Sequence, residues 1–151
     1  MDIKISILDD NEDFLKILRL LVEDCFEIDI CTSDVNELIE KITQPSVIII
    51  DWFLKHGVTG LEVMKKVLDK NPLCHPIYVS DMANVDNLKK IINHGWGSFF
   101  IEKTDTDFAK QLNEKIIQAR RLLIAKIGMA NKEFQRNEQL RQQIEETLKS
   151  F

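Results

Sequence analysis

The feature that most constrains this chain is a regular alternation of short apolar runs with segments of helical spacing. Five runs are rich in apolar, mostly β-branched residues and end at polar residues, as strands do. Between them, apolar residues recur three and four positions apart, which is typical of amphipathic helices. Because strands that alternate with helices over short connections form parallel sheets, the sequence predicts a doubly wound α/β domain with helices on both faces. The predicted strands are residues 3–8, 28–32, 47–50, 77–79 and 98–101.

Capping residues and a proline set the limits of the first predicted helices. Asn11 or Asp10 can cap the first helix, because either side chain can accept hydrogen bonds from the free N–H groups at a helix start. Ser33 or Asp34 can cap the second helix in the same way. Pro45 ends the second helix, since proline has no N–H group to continue it. The predicted helices are residues 12–24, 35–42, 61–70 and 85–93.

The last third of the chain has the composition of a long helix. It contains no proline and is dominated by residue types that favour helices, mainly Lys, Glu, Gln, Arg and Leu. From about Thr106 to Lys149 the apolar residues mostly recur three or four apart, and this pattern is interrupted at Asn137 and Arg141. Such spacing is typical of a coiled coil, in which a buried Asn137 could set the register.

Two arrangements of this segment are consistent with the pattern. A continuous helix of about 44 residues would be roughly 65 Å long at 1.5 Å per residue, too long to be buried on one small domain. We favour this form and divide the chain into a domain over residues 1–125 and a helical extension over 126–151, a dimerising coiled coil or a linker. In the alternative, Gly128 breaks the helix and residues 131–150 fold back as a separate amphipathic helix.

Polar residues that suit a cation and a phosphoryl group follow four of the predicted strands. Ligands of open parallel sheets bind at the carboxyl ends of the strands, so we expect these side chains to converge on one crevice. Three carboxylates close together repel one another unless a hard cation lies between them, and Mg²⁺ prefers carboxylate oxygens. An aspartate at a strand end can instead simply cap the next helix. The residues are Asp9, Asp10, Asp51, Ser80 and Lys103.

The same set of groups is suited to the transfer of a phosphoryl group to a carboxylate. A lysine opposite the cation would place positive charge on both sides of the phosphoryl group and neutralise its equatorial oxygens. The hydroxyl would donate a hydrogen bond to one of those oxygens. An aspartate flanked in this way can act as the nucleophile and form an acyl phosphate.

Four short motifs lie at the ends of the predicted strands: Leu8-Asp9-Asp10-Asn11, Ile49-Ile50-Asp51-Trp52, Val79-Ser80 and Ile101-Glu102-Lys103. With these motifs the chain, over residues 1 to about 125, resembles the receiver domain of two-component response regulators. The resemblance implies a flavodoxin-like sheet of five parallel strands in the order 2-1-3-4-5. It also implies that Asp51 is the phosphoacceptor, and that Asp9, Asp10, Asp51 and the backbone carbonyl of Phe53 bind Mg²⁺.

The resemblance also assigns roles to three residues near the carboxyl ends of the last two strands. Ser80 is similar to the family's switch hydroxyl, and Lys103 to the lysine that contacts the phosphoryl group. Phe100 is similar to the aromatic residue that swings inward on activation, although it could equally be an ordinary core aromatic.

Four positions depart from the family's usual pattern. Lys55 stands where a proline is common, Gly60 follows the phosphoacceptor by nine residues instead of eight, and Thr104 replaces a proline that often has a cis bond. Asp81 stands where a small residue is usual. A carboxylate at Asp81 could act as a gate that repels phosphodonors or closes the entry loop; the alternative is a surface acid that caps the next helix.

These observations favour a phosphorylation-controlled signalling switch. Its partners would be a sensor histidine kinase or phosphotransfer protein, and a second copy of the chain bound through the C-terminal helix. It would catalyse only its own phosphorylation and dephosphorylation. One alternative is a degenerate receiver that acts as a constitutive dimerisation or docking module, and another is the regulatory part of a longer effector protein. A phosphatase is disfavoured because position 53, where a second acid would be needed, is Phe.

Composition excludes several other classes of protein. The net charge of -5 argues against nucleic-acid binding, which requires Lys and Arg to replace the counterions of phosphates. No apolar run approaches the roughly 20 residues that span a bilayer. The three cysteines include no C-x-x-C pair, which disfavours a disulfide scaffold and predicts a cytoplasmic protein.

Overall fold

A parallel sheet forms the centre of the molecule, as the sequence predicts. The computed structural model describes residues 3–81 and 99–150. Its five strands lie in the order β2-β1-β3-β4-β5, and every neighbouring pair is parallel. The predicted fold class and strand order are therefore confirmed. The strands are β1 (Lys4–Leu8), β2 (Ile28–Thr32), β3 (Ser46–Asp51), β4 (Cys74–Ser80) and β5 (Phe100–Glu102).

Four helices and one short 3-10 turn are described around this sheet. The predicted helix over residues 85–93 lies outside the described residues. The 3-10 turn, Lys55–Gly57, occupies the loop after β3, where His56 and Gly57 have φ angles of 64° and 70°. The helices are α1 (Glu12–Glu23), α2 (Val35–Lys41), α3 (Gly60–Lys70) and α4 (Phe108–Lys149).

The helix starts are stabilised by the side chains that the sequence singles out. Asn11 accepts hydrogen bonds from the N–H groups of Asp13 and Phe14, both at 3.1 Å, and so caps α1. Asp34 caps α2 through the N–H of Asn36 at 2.9 Å. In each case one of the two predicted candidates is the cap.

β4 begins three residues earlier than predicted. The predicted strand begins at Ile77, whereas Pro76 lies inside β4 and pairs with Ile48 of β3. β5 runs beside only the last three residues of β4, Tyr78 to Ser80. At Pro76, β4 therefore has a described strand on one side only, and a missing N–H group is tolerated at such an edge.

Apolar side chains pack on both faces of the sheet. On one face, Ile5, Ile7 and Val79 pack with α1 and α4. On the other face, Ile48 and Ile50 pack with α2 and α3. Every residue of β3 is buried, which explains why that strand has no polar alternation.

The long helix α4 is continuous, so the alternative with a break at Gly128 is wrong. Gly128 lies inside the helix, and a Cβ atom there would meet nothing within 4 Å. The first half of α4 packs on the sheet. Its buried residues are Phe108, Leu112, Ile116, Ala119, Leu123 and Ile127.

Two further properties of the described chain bear on its class. Cys25, Cys31 and Cys74 are all free thiols. Among residues 3–81 and 99–150, no helix has both the length and the apolar character needed to cross a bilayer.

Candidate functional site

Two buried carboxylates and one buried ammonium meet at the carboxyl edge of the sheet. Asp9 directly follows β1 and Asp51 ends β3, and these strands are neighbours, so the two acids lie side by side. Lys103 follows β5. Its Nζ lies 2.8 Å from Oδ2 of Asp9 and 3.3 Å from Oδ2 of Asp51. All three side chains are less than a tenth exposed, so their charges interact with little screening.

Asp10 adds a third carboxylate to this site. One oxygen from each of Asp9, Asp10 and Asp51 lies within 4.8 Å of the others. Three anionic oxygen donors at this spacing fit a hard cation such as Mg²⁺, which binds carboxylates and keeps several waters. The fold thus brings together the three carboxylates of the predicted magnesium site.

Backbone N–H groups orient the two buried carboxylates. Asn11 donates to Oδ1 of Asp9 at 2.9 Å, and Phe53 donates to Oδ1 of Asp51 at 3.3 Å. Each carboxylate therefore has one oxygen held by the backbone and the other facing Lys103. The side chain of Phe53 itself is about half exposed.

The electrostatics of the site show a shortage of positive charge. Burial raises the pKa of Asp51 to about 7, and the charge of Asp9 adds to this shift while Lys103 opposes it. Burial alone would lower the pKa of Lys103, but its hydrogen bond to Asp9 and the charges of Asp9 and Asp51 give a net increase. One ammonium is thus shared between two acids, and a further cation would stabilise the ionised form of Asp51.

The other predicted site residues occupy three different environments. Ser80 is fully buried at the end of β4, and its carbonyl accepts a hydrogen bond from the N–H of Lys103 at 2.7 Å. Phe100 is half-buried and packs against the core on the α3 side of the sheet. Asp81 is exposed, and its charge contributes to the raised pKa of Lys103. The structure thus places Asp81 within electrostatic reach of the site.

Sequence reasoning missed an aromatic contact with the lysine. The Nζ of Lys103 lies 4.4 Å from the centre of the Phe14 ring, a distance typical of cation–π contacts. Phe108, the first residue of α4, packs edge-on against Phe14 with ring centres 5.6 Å apart. In the sequence Phe14 is only one of the apolar positions of α1, so no pattern pointed to this contact.

Gly60 permits a close approach to the backbone of Asp51. A Cβ atom at Gly60 would lie 2.6 Å from the carbonyl oxygen of Asp51, far inside a normal contact. We expect Gly60→Ala to destabilise the fold by about 1–3 kcal/mol, because the backbone of Asp51 has to move. Urea denaturation would measure the loss, and weaker Mg²⁺ binding should accompany it.

Gly128→Ala is the matched control for this substitution. The new methyl group meets no atom within 4 Å, and alanine favours the helix interior by up to about 1 kcal/mol over glycine. We therefore expect the two alanine variants to change stability in opposite directions. Equal effects would show that the close approach at Gly60 has no energetic weight.

Solved structures with a similar fold include receiver domains of response regulators. A response regulator receiver domain protein from Clostridium thermocellum shares 22% identity at a TM-score of 0.66, covering 81% of this chain and 98% of its own. A signal receiver domain from Vibrio parahaemolyticus shares 17% identity at a TM-score of 0.71, covering 85% and 98%. No protein-family model matches this chain, and no curated protein matches it either.

A third similar structure includes a coiled coil. It is a fusion that contains a trimeric coiled coil of yeast Spc42, with 18% identity and a TM-score of 0.71, covering 93% of this chain and 94% of its own. The first two structures show that the chain has the fold of response-regulator receiver domains.

Proposed function

We propose that this protein is a phosphorylation-controlled switch of a two-component system. Asp51 accepts a phosphoryl group from a sensor histidine kinase or a phosphotransfer protein. The observation that supports this most directly is the buried Asp51 carboxylate, which lies beside two further acids and 3.3 Å from Lys103. The receiver fold supports the same conclusion.

Each residue of the site has a separate role in phosphoryl transfer. A carboxylate oxygen of Asp51 attacks the phosphorus atom, and the bond from phosphorus to the donor breaks. Lys103 and Ser80 contact the equatorial oxygens of the phosphoryl group. Asp9, Asp10, Asp51 and the backbone carbonyl of Phe53 hold Mg²⁺, which supplies positive charge to those oxygens. The protein acts on no other substrate.

The signal leaves the site through repacking and self-association. Ser80 and Phe100 move toward the phosphoryl group, because the phosphorylated site offers them contacts that the free site lacks. The protein dimerises through α4, whose second half is exposed; a similar solved structure that contains a trimeric coiled coil supports self-association. The switch acts in the cytoplasm, and neither nucleic acid nor membrane is among its partners.

A degenerate receiver is the second candidate function. The loop after β3 contains Lys55 and the left-handed His56, Asp81 is exposed beside the site, and Thr104 follows the lysine. Such a protein would serve as a constitutive dimerisation or docking module, either alone or as the regulatory part of a longer effector protein.

Sedimentation with and without Mg²⁺ and beryllofluoride tests the proposed function. Beryllofluoride mimics a phosphoryl group on an aspartate, and we expect Mg²⁺-dependent binding that changes the association of the chain. Asp51→Asn is the control and should not respond. If beryllofluoride fails to bind in the presence of Mg²⁺, the switch is excluded and the docking module is favoured.

Asp81→Ala should accelerate phosphorylation by acetyl phosphate. Removing one negative charge near the site lowers the barrier to an anionic donor by about 1 kcal/mol, or roughly fivefold in rate. Asp81→Asn should have the same effect, because it also removes the charge. Asp69→Ala removes an exposed acid at the end of α3 and should leave the rate unchanged. Equal rates for Asp81→Ala and the unmodified protein would exclude Asp81 as a gate.

A further inference from the structure

One face of the helix α4 is buried in the first half of the helix and exposed in the second half. Residues three and four apart lie on the same face of a helix. The buried residues of the first half end with Leu123 and Ile127 at this spacing. The same spacing continues through six exposed residues, which we call the exposed stripe. The exposed stripe consists of Ala130, Phe134, Asn137, Arg141, Ile144 and Leu148.

The apolar members of the exposed stripe are unusually accessible. Phe134, Ile144 and Leu148 are 66%, 52% and 67% exposed. Leu140 lies beside the stripe and is 55% exposed. Large, exposed apolar side chains at helical spacing on an otherwise polar helix indicate an interaction surface. Its heptad spacing suits another helix.

The domain itself limits the direction in which a second copy can pack. Along residues 108–127, this face of α4 is covered by β3, β4 and β5 of the same chain. A parallel, in-register partner helix would have to continue along that face and would run into the sheet. An antiparallel partner can overlap only the part beyond Ile127. We propose that residues 130–148 pair with the same residues of a second copy in antiparallel orientation, which deepens the dimer of the proposed function and rests on it.

In the antiparallel orientation, the residues of the exposed stripe are complementary to those of the partner's stripe. We place the twofold axis at the level of Gln139 along the helix. Phe134 then meets the partner's Ile144, and the small Ala130 meets the partner's Leu148. Asn137 meets the partner's Arg141, so the two polar positions share one layer. A parallel pair would instead place two copies of Arg141 in the same layer, at a cost from like charges.

The charges of the helix support the same arrangement. Arg141 contacts Glu138 at 3.1 Å and Glu145 at 4.0 Å within its own helix. In a parallel pair, Glu133 would also face the partner's Glu138 across the interface, on both sides. In the antiparallel pair Glu133 faces the partner's Thr147 and Asn131 faces the partner's Glu145. Glu138, next to the twofold axis, faces its own copy, so one like-charge contact stands in place of two. The paired segment is about 28 Å long at 1.5 Å per residue.

Oxidative cross-linking distinguishes the two directions. The background has Cys25→Ser and Cys31→Ser, while Cys74 is buried and stays. Phe134→Cys and Ile144→Cys are made in separate chains of different mass. In the antiparallel pair two copies of position 134 are about 15 Å apart, whereas a disulfide needs Cα atoms within about 7 Å. We expect a disulfide when the two proteins are mixed and none when either is oxidised alone.

Three controls make the outcome decisive. Gln139→Cys lies on the opposite face of α4 and should form no cross-link. Ile144→Asp should abolish sedimentation as a dimer, while Gln139→Asp should leave it intact. Disulfides formed by Phe134→Cys alone would establish a parallel pair and overturn the proposal, as would a monomer at every concentration. Fluorine NMR of bound beryllofluoride reports on Asp51 separately, so failure of phosphorylation is distinguishable from failure of the pairing.

Discussion

Asp51→Asn is expected to abolish phosphoryl uptake from acetyl phosphate and, in magnesium-free buffer, to stabilise the folded protein. Uptake is lost because the amide cannot act as the nucleophile. Stability rises because the ionised carboxylate of Asp51 is buried beside Asp9, and one lysine is shared between the two. Removing the charge of Asp51 removes both its desolvation and its repulsion by Asp9.

The gain in stability should depend on pH in a defined direction. Folding raises the pKa of Asp51 from its ordinary value of 3.8 to about 7. Between these values the folded state holds a proton that the unfolded state has released, so this carboxyl destabilises the fold as pH rises. The free energy of unfolding of Asp51→Asn should therefore exceed that of the unmodified protein only slightly near pH 4. The gain in stability should grow as pH rises from 4 to 7 and be largest above pH 7.

Urea denaturation at pH 4.5, 6 and 8 would measure this dependence. Added Mg²⁺ should reduce the gain at pH 8, because the cation stabilises the ionised site of the unmodified protein. Asp69→Asn, which removes an exposed acid, should show no such dependence. A gain that is constant from pH 4.5 to 8 would contradict the raised pKa.

Lys103→Met is expected to destabilise the folded protein strongly, whereas Asp51→Asn stabilises it. The ammonium is 2.8 Å and 3.3 Å from two buried carboxylates, and its loss leaves both without that cation. Removing one partner of a buried ion pair costs about 3–5 kcal/mol. We expect a loss of this size at pH 8 without Mg²⁺, and a partial recovery when Mg²⁺ is added. The rate of phosphorylation should fall about 100-fold or more, because a contact to the transferring group is lost.

A double-mutant cycle tests the origin of this loss. In Asp51→Asn combined with Lys103→Met, Asp9 is the one fully buried carboxylate of the site that remains, and Asp51 no longer repels it, so the double variant should be more stable than Lys103→Met alone. Lys55→Met is the matched control, since Lys55 is exposed and lies near the same edge of the sheet. Additive effects of the two substitutions would show that Asp51 and Lys103 do not interact.

The local patterns of the sequence predicted the elements of the fold well, because each signal has a local cause. Short apolar, mostly β-branched runs identified the strands, and Asn11 and Asp34 act as helix caps through contacts two or three residues away. The start of β4 was misplaced, because Pro76 reads as a strand boundary. Whether a proline is tolerated depends on how far the neighbouring strand extends, and no local pattern contains that information.

The candidate site divides in the same way. Residues at strand ends predicted which groups would converge, since parallel strands present their carboxyl ends at one edge. The distances that define the chemistry depend on which strands are neighbours, and the strand order was implied by a resemblance and not by spacing. The contact of Phe14 with Lys103 joins two elements far apart in the chain, so it emerged only from the packed structure.

The C-terminal helix shows the limit of sequence reasoning most clearly. By itself the sequence determined that this segment is helical and which residues share one face, because helical geometry relates residues three and four apart. Only the tertiary structure decided that the first half of that face, up to Ile127, is buried against the sheet of the same chain. Because the sheet already occupies the space beside the first half of α4, a second helix cannot pack there. This steric exclusion sets the orientation in which a partner helix can bind.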